Sequence, residues 1–459
     1  MTPVRQSPGR FVAGAAVLAI AVGLGSLLPT ALSVYLVRDI ALLLSAAAVA
    51  GLAWANPRFS IGAVVAAFVF SGLLRRLVPA ADPASDMAAI FPFLVALPLA
   101  IHGARFKKPA AIVVLLLWAT VGAALSLRTP LVSLGGWLNL AVPLLAAFGI
   151  RSIPSGMKIF AQATVICGAM AATYGIVQYV VPFRWDVTWL AGSGISSAGT
   201  FGESNFRPFA TLPAPQTAAM LCAVVILIVV FRGQLLGSST ALRVWAVSSS
   251  SILLLLTLAR TVWLALAAAL LVGLLATKGR PARQLVPLVA VAVLFVSLAP
   301  QGEAVVGRAG TLTDLSEDKS FNARLDIVGA AGAVVSPFGI GLGTLSAASR
   351  ADETTVLDNG YVVVLGELGL VGLGLLVWAL VWVVRQSRPS EYAFVAMLLV
   401  TAAGSFVFGN LTGLLLWTFS GIGLAREDDT TSSPTSTAPN SGAAPALCTA
   451  TLPPLRSTR

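Results

Sequence analysis

Apolar runs near 20 residues recur along the chain, and the connections between them, short and long, hold most of the charged residues. A helix needs about 20 apolar residues to cross the hydrocarbon core of a bilayer. No long stretch shows the period-two alternation of a membrane β-barrel, so helices are the spanning element. The pattern predicts spans over 11–28, 33–54, 60–78, 88–103, 110–127, 134–150, 159–181, 213–231, 244–259, 261–277, 284–300, 360–384, 391–408 and 411–425. Two regions are ambiguous. A single helix over the apolar stretch 244–277 would be roughly 50 Å long, too long for the bilayer core, so a hairpin with its tip near Arg260 is expected. Residues 391–425 pose the same problem, with Gly404, Gly409 and Asn410 near the middle. The run 11–28 follows Arg5 and Arg10 as a signal peptide would, but another apolar run begins almost at once, so it is read as a retained first helix starting from the cytoplasm. The expected fold is all-α: a polytopic transmembrane bundle of 12–14 helices with one large exterior loop.

Composition agrees. The 459 residues are 57% hydrophobic and 10% charged, whereas a soluble domain needs roughly 25% charged residues to cover its surface. The formal charge of +11 raises the question of nucleic acid, but its distribution answers it. Arg58, Arg105 to Lys108, Arg151 and Lys158, Arg232 and Arg243, Lys278 to Arg283, and Arg385 and Arg388 all fall on one side of the helix alternation. That is the positive-inside pattern of cytoplasmic loops, not a nucleic-acid patch. The long connection 301–357 falls on the other side and is net acidic: Glu303, Asp314, Glu317, Asp318, Asp326, Asp352 and Glu353 face Arg308, Lys319, Arg324 and Arg350. A second exterior segment, 182–212, is expected to wall a cavity with it. The membrane domain is therefore read as 1–426 and the Thr-, Ser-, Pro- and Ala-rich stretch 427–459 as a disordered cytoplasmic tail. Three cysteines without ligand spacing, and one histidine, His102, read as interfacial, suggest neither a metal site nor a cofactor.

Four clusters carry candidate chemistry. In Phe206–Pro215, Arg207 precedes prolines that break a helix opening at the exterior, so the freed backbone must line a cavity or pack on protein; a plain loop with interfacial prolines is the alternative. Arg260, within Thr257–Trp263, has apolar sequence on both sides; such an arginine faces a water-filled cavity or a charged ligand, or snorkels at a hairpin tip. Asn322-Ala323-Arg324-Leu325-Asp326 is followed by Ser336-Pro337 and a Gly-x-Gly-x-Gly run, Gly339 to Gly343, which either folds backbone tightly against the membrane face or belongs to a short amphipathic helix. Asp358-Asn359 then opens a long helix holding Glu367 and glycines 366, 369 and 372, a functional intramembrane acid or a packing face with an interfacial Glu.

In order and spacing these clusters resemble the O-antigen ligase and O-antigen polymerase superfamily of bacterial membrane glycosyltransferases over about 205–375. The ligases carry a histidine near the end of the large loop. Here that place reads Val356-Leu357-Asp358-Asn359, which favours the polymerase branch or an enzyme of another surface glycan. The resemblance implies a multi-pass protein of the bacterial plasma (inner) membrane with its active site on the exterior face. The donor it implies is a polyprenyl-pyrophosphate-linked oligosaccharide, and the acceptor a glycan or glycolipid hydroxyl. A chain-length regulator or flippase would be the kind of partner protein beside it. Arginine's fork binds phosphate oxygens, so Arg207, Arg260 and Arg324 are the expected pyrophosphate ligands of a metal-independent glycosyltransferase; Asp358, Asp326 and Glu367 are the candidate general bases. The competing class is a polytopic transporter or flippase for a lipid-linked or small anionic substrate, which also uses intramembrane charges and broken helices. No halves of similar hydropathy are evident to support it.

Overall fold

The computed structural model describes residues 48–49, 51–77, 83–106, 108–125, 130–193, 198–203, 205–279, 281, 336–345 and 359–421. The chain divides into two units, Met1–Gly423 and Leu424–Arg459, and all of these residues belong to the first. They fold as an all-α helical bundle without strands. Its helices are α1 (Pro57–Leu77), α2 (Pro83–Ala104), α3 (Ala110–Leu125), α4 (Pro130–Ser152), α5 (Gly156–Val180), α6 (Arg184–Ser193), α7 (Pro215–Arg232), α8 (Thr240–Leu256), α9 (Arg260–Ala276), α10 (Gly360–Gln386), α11 (Tyr392–Ala402) and α12 (Asn410–Phe419). The expected spans 11–28 and 284–300, most of 33–54, and the tail lie outside the described residues.

Local chemistry sets the helix starts. Proline occupies the first position of α1 and α7, where its missing N–H is no loss. Asn56 Oδ1 accepts from the Arg58 and Phe59 amides at 3.1 and 3.3 Å, and Asn359 Oδ1 from those of Tyr361 and Val362 at 3.0 and 3.2 Å. Each satisfies orphan donors of a first turn.

Five stretches are long and apolar enough to cross a membrane: Pro57–Leu77, Val132–Ser152, Gly156–Val180, Pro215–Leu236 and Gly360–Gln386. The fourth is the central one. The protein covers 83% of its apolar window, as expected of a helix apolar all round. Around α7 pack α5, α8, α9, α11 and α12, while α1, α2 and α4 form the next layer and α10 lies on α3. Helices α2 and α4 meet backbone to backbone: a Cβ on Gly103 would lie 2.0 Å from the Leu145 carbonyl oxygen, and one on Gly149 2.1 Å from that of Leu99. Small residues permit this approach, the packing mode available where lipid removes the hydrophobic drive between helices.

The α8–α9 hairpin turns at 257–259, and residues 391–421 form two short helices with a break at 403–409. One end of the bundle is locked by Glu391, whose side chain is 2% exposed. It accepts from Arg232 Nη2 at 2.7 Å, Arg151 Nη2 at 3.4 Å and the Arg388 amide at 2.8 Å. Arg151 Nη1 also donates to the Thr418 carbonyl at 2.9 Å. Basic residues from three connections placed on one side by charge alone thus meet at one carboxylate.

Candidate functional site

The opposite end is built from broken backbone. Residues 206–214 run without helix into α7. Thr211 replaces a rung of α1: its Oγ1 donates to the Val69 carbonyl at 2.8 Å, and its own carbonyl accepts from the Leu73 amide at 2.8 Å. Gly72 allows this, since a Cβ there would lie 2.4 Å from the Leu212 carbonyl carbon. Gln178 Oε1 accepts from the Phe209 and Ala210 amides at 3.1 and 3.0 Å. The backbone freed by the prolines is therefore held by protein, as non-helical backbone at membrane depth must be.

Below this segment lies a buried ion pair that sequence reasoning missed. Arg76 Nη1 meets Asp186 Oδ1 at 2.8 Å, with both side chains fully buried. Asp186 Oδ2 also accepts from Tyr174 at 2.8 Å and Gln178 Nε2 at 2.7 Å. Arg76 donates to the Gly72 and Ala210 carbonyls, and its guanidinium lies 4.7 Å from the Phe209 ring centroid. The only sequence hint was that Arg75 and Arg76 end α1 on the side where the alternation expects few cations.

Arg207 is partly buried, and its Nε donates to the Thr257 carbonyl at 2.6 Å. Thr257 lies at the α8–α9 turn, where Leu258 takes φ 51° and Arg260 is the first residue of α9. Two of the predicted arginine segments are thereby joined by a direct hydrogen bond. The 403–409 connection gathers further helix starts. A Cβ on Gly404 would lie 2.2 Å from Thr261 Cγ2 of α9, Gln216 of α7 donates to the Gly404 carbonyl at 3.4 Å, and a Cβ on Gly360 of α10 would lie 2.8 Å from the Ser405 carbonyl oxygen.

The glycine run 339–343 and the Glu367 helix also come together. α10 is not one regular helix: at Gly369 (φ 73°, ψ −173°) it is broken. Residues 336–345, which are not helical, hook onto the break. The Ile340 and Gly341 amides donate to the Gly366 and Glu367 carbonyls at 2.8 and 3.1 Å, and the Leu370 and Val371 amides donate to the Ser336 and Pro337 carbonyls at 3.1 and 3.3 Å. Trp118 Nε1 donates to the Leu368 carbonyl at 2.9 Å. The Gly366, Glu367 and Leu368 carbonyls and the Leu370 and Val371 amides, which the kink deprives of helical partners, are satisfied in this way. Gly369 therefore meets a connecting segment rather than a neighbouring helix, because a Cβ on it would lie 2.4 Å from the Pro337 carbonyl oxygen. Glu367 is 2% exposed, and its Oε1 accepts from the Leu345 amide at 2.9 Å.

These features fall within, or touch, one homologous stretch. Residues 245–377 match the O-antigen ligase family. The matched stretch contains Arg260, Arg324, the glycine run and Glu367, while Arg207 precedes it and reaches it through the Thr257 carbonyl. The superfamily resemblance is borne out over that stretch, and it supports a membrane glycosyltransferase of ligase or polymerase kind, acting on lipid-linked oligosaccharide and a glycan acceptor, in a multi-pass membrane protein. No curated protein and no solved structure matches the chain.

Of the predicted site residues, the fold joins the segments of Arg207 and Arg260 and places Glu367 against the glycine hook. Arg324, Asp326, Asp358 and most of the loop 301–357 lie outside the described residues.

Proposed function

We propose that this protein polymerises or transfers polyprenyl-pyrophosphate-linked oligosaccharide units into a cell-surface polysaccharide. The site faces the exterior of the bacterial inner membrane, and Arg207, Arg260 and Arg324 bind the pyrophosphate. The observation that carries this reading is the bond from Arg207 to the Thr257 carbonyl, which fixes one arginine beside the turn that presents the other. Arg260 stands at the first position of α9, where the positive end of the helix dipole adds to its own charge. Leaving-group charge builds on the pyrophosphate as the acceptor hydroxyl attacks the anomeric carbon. Fixed guanidinium groups stabilise that charge without a metal ion. The acceptor proton passes to one of the carboxylates Asp358, Asp326 or Glu367. Cleavage of the donor's glycosyl–pyrophosphate linkage, with lipid pyrophosphate as the leaving group, supplies the energy, so the reaction needs no nucleotide or other cofactor. A chain-length regulator or flippase is the partner such an enzyme would work beside.

The test is glycan length in cells carrying alanine or lysine at each arginine, normalised to the amount of protein in the membrane. A charge-assisted bond is worth about 1.5–3 kcal/mol, so alanine at Arg260 or Arg324 abolishes polymer at normal protein levels. Lysine keeps the charge but loses the two-pronged fork, so it impairs polymer as well. Wild-type polymer from both Arg260→Ala and Arg324→Ala would remove the pyrophosphate assignment.

A further inference from the structure

At the Glu391 end of the bundle, away from the candidate glycan site, the start of α1 and the end of α2 line a partly open cavity of about 190 Å³. Its lining includes Trp54, Pro57, Ser60, Pro98, His102 and Arg105. We propose that this cavity is a binding site for a phosphate-bearing anion, specifically the headgroup of an anionic phospholipid of the adjacent leaflet.

Three observations converge on that chemistry. The first is an unmet hydroxyl. Ser60 is fully buried, yet its Oγ has no hydrogen-bond partner, although its own amide is used on the Asn56 carbonyl at 3.0 Å. Buried hydroxyls are nearly always satisfied, so one left open toward a cavity marks the place of a missing acceptor or water. The second is charge. Arg105 is exposed at the rim and forms no side-chain ion pair among the described residues, and His102 lies beside it with its ring edge-on to Phe106 at 5.1 Å. Neither 51–60 nor 98–110 contains an Asp or Glu, while both contain arginine, so no carboxylate from the lining segments competes for the cations. The first turn of α1 adds the positive end of a 21-residue helix. The third is size. The volume far exceeds what a single water needs, yet falls below the roughly 300–1,000 Å³ of cavities that enclose drug-sized ligands. That suits a phosphate with part of a glycerol and excludes an oligosaccharide.

Position chooses the source. The cavity lies among helix ends at the level of the basic connections, where headgroups reside, and Trp54 at its edge is 61% exposed, as an aromatic residue at the lipid–water boundary is. Anionic headgroups attract such basic interfacial groups, while zwitterionic ones do so weakly.

The experiment is native mass spectrometry of the full-length protein, released from detergent and titrated with phosphatidylglycerol, phosphatidylcholine or inorganic phosphate. We expect phosphatidylglycerol to be retained over phosphatidylcholine. Arg105→Gln, which alters an exposed side chain and leaves packing intact, should weaken retention about tenfold, the scale of one charge-assisted contact. Ser60→Ala, which removes only the hydroxyl, should weaken it by a smaller factor. Inorganic phosphate at millimolar concentration should not displace the lipid; displacement would keep the anion site but assign it to a soluble phosphate. Equal retention of both lipids, or wild-type retention by Arg105→Gln and Ser60→Ala together, would overturn the proposal.

Discussion

At the scale of single residues, the buried pair Arg76–Asp186 explains why the segment after Arg207 holds its shape. Asp186 accepts three side-chain donors and Arg76 reaches the Ala210 carbonyl, so each partner's hydrogen-bonding capacity is largely used. Removing one partner leaves a charge in a site that hydrates it poorly, at a cost of about 3–5 kcal/mol. We expect Asp186→Ala to lower the unfolding temperature in detergent clearly. The double change Arg76→Met with Asp186→Leu should recover most of that loss, because the desolvation problem goes with the charges. Recovery absent in the double variant would show that the network stabilises through its hydrogen bonds to Gln178 and Tyr174 instead. Glu367 invites a similar separation. Its Oε1 holds the Leu345 amide, and glutamine can make the same bond with its amide oxygen. We expect Glu367→Gln to retain both protein level and glycan length, and Glu367→Ala to lose both. A normal protein level with no polymer from the glutamine variant would instead make Glu367 the general base.

At the scale of elements, what was legible in the sequence is what local chemistry determines. Apolar length gave the helices, and the surplus length of 244–277 and 391–425 gave the turns at 257–259 and 403–409. Two things were not legible. Arg76 and Asp186 are far apart in the chain, and neither has a local pattern that names the other. The break in α10 was hidden because Gly366, Gly369 and Gly372 have the spacing of a packing face, and only the hook 336–345 distinguishes a kink from a close helix contact. The kink yields a sharp prediction. Gly369 adopts a φ/ψ combination that is essentially restricted to glycine. Gly369→Ala should destabilise the protein by at least about 1–3 kcal/mol from backbone strain alone, with the clash against Pro337 in addition. Gly374, in the same helix, would place a Cβ in open space. Gly374→Ala should therefore be neutral or stabilising by up to about 1 kcal/mol through helix propensity. Thermal unfolding of the two variants side by side reads the difference, and equal effects would mean the kink is not a fixed feature of the helix.

At the scale of the whole molecule, the two ends differ in what they are built from, and that difference predicts orientation. The Glu391 end gathers Arg151, Arg232 and Arg388, and the basic connections near Arg58, Arg105 and Lys278 adjoin helix termini at the same end. Basic connections of this kind stay in the cytoplasm. Ser420 and Gly421, the last described residues, also lie there: Ser387 Oγ donates to the Ser420 carbonyl at 2.7 Å and a Cβ on Gly421 would lie 2.4 Å from Glu391 Oε2. The glycine hook lies at the other end, where a Cβ on Gly343 would meet the Val132 carbonyl oxygen at 2.3 Å in the first turn of α4. The loop that contains the hook should therefore be exterior and the tail cytoplasmic. Cysteine labelling decides this. Cys167 and Cys222 are buried and should stay silent, while Cys448 must first be replaced by serine so that it does not report in place of the probe. In that background, Ser320→Cys should react with an impermeant maleimide in intact cells, and Ser432→Cys only after the membrane is opened. The reverse pattern would invert the protein and place the arginine-bearing turns on the cytoplasmic face, where a donor whose glycan projects outward could not meet them.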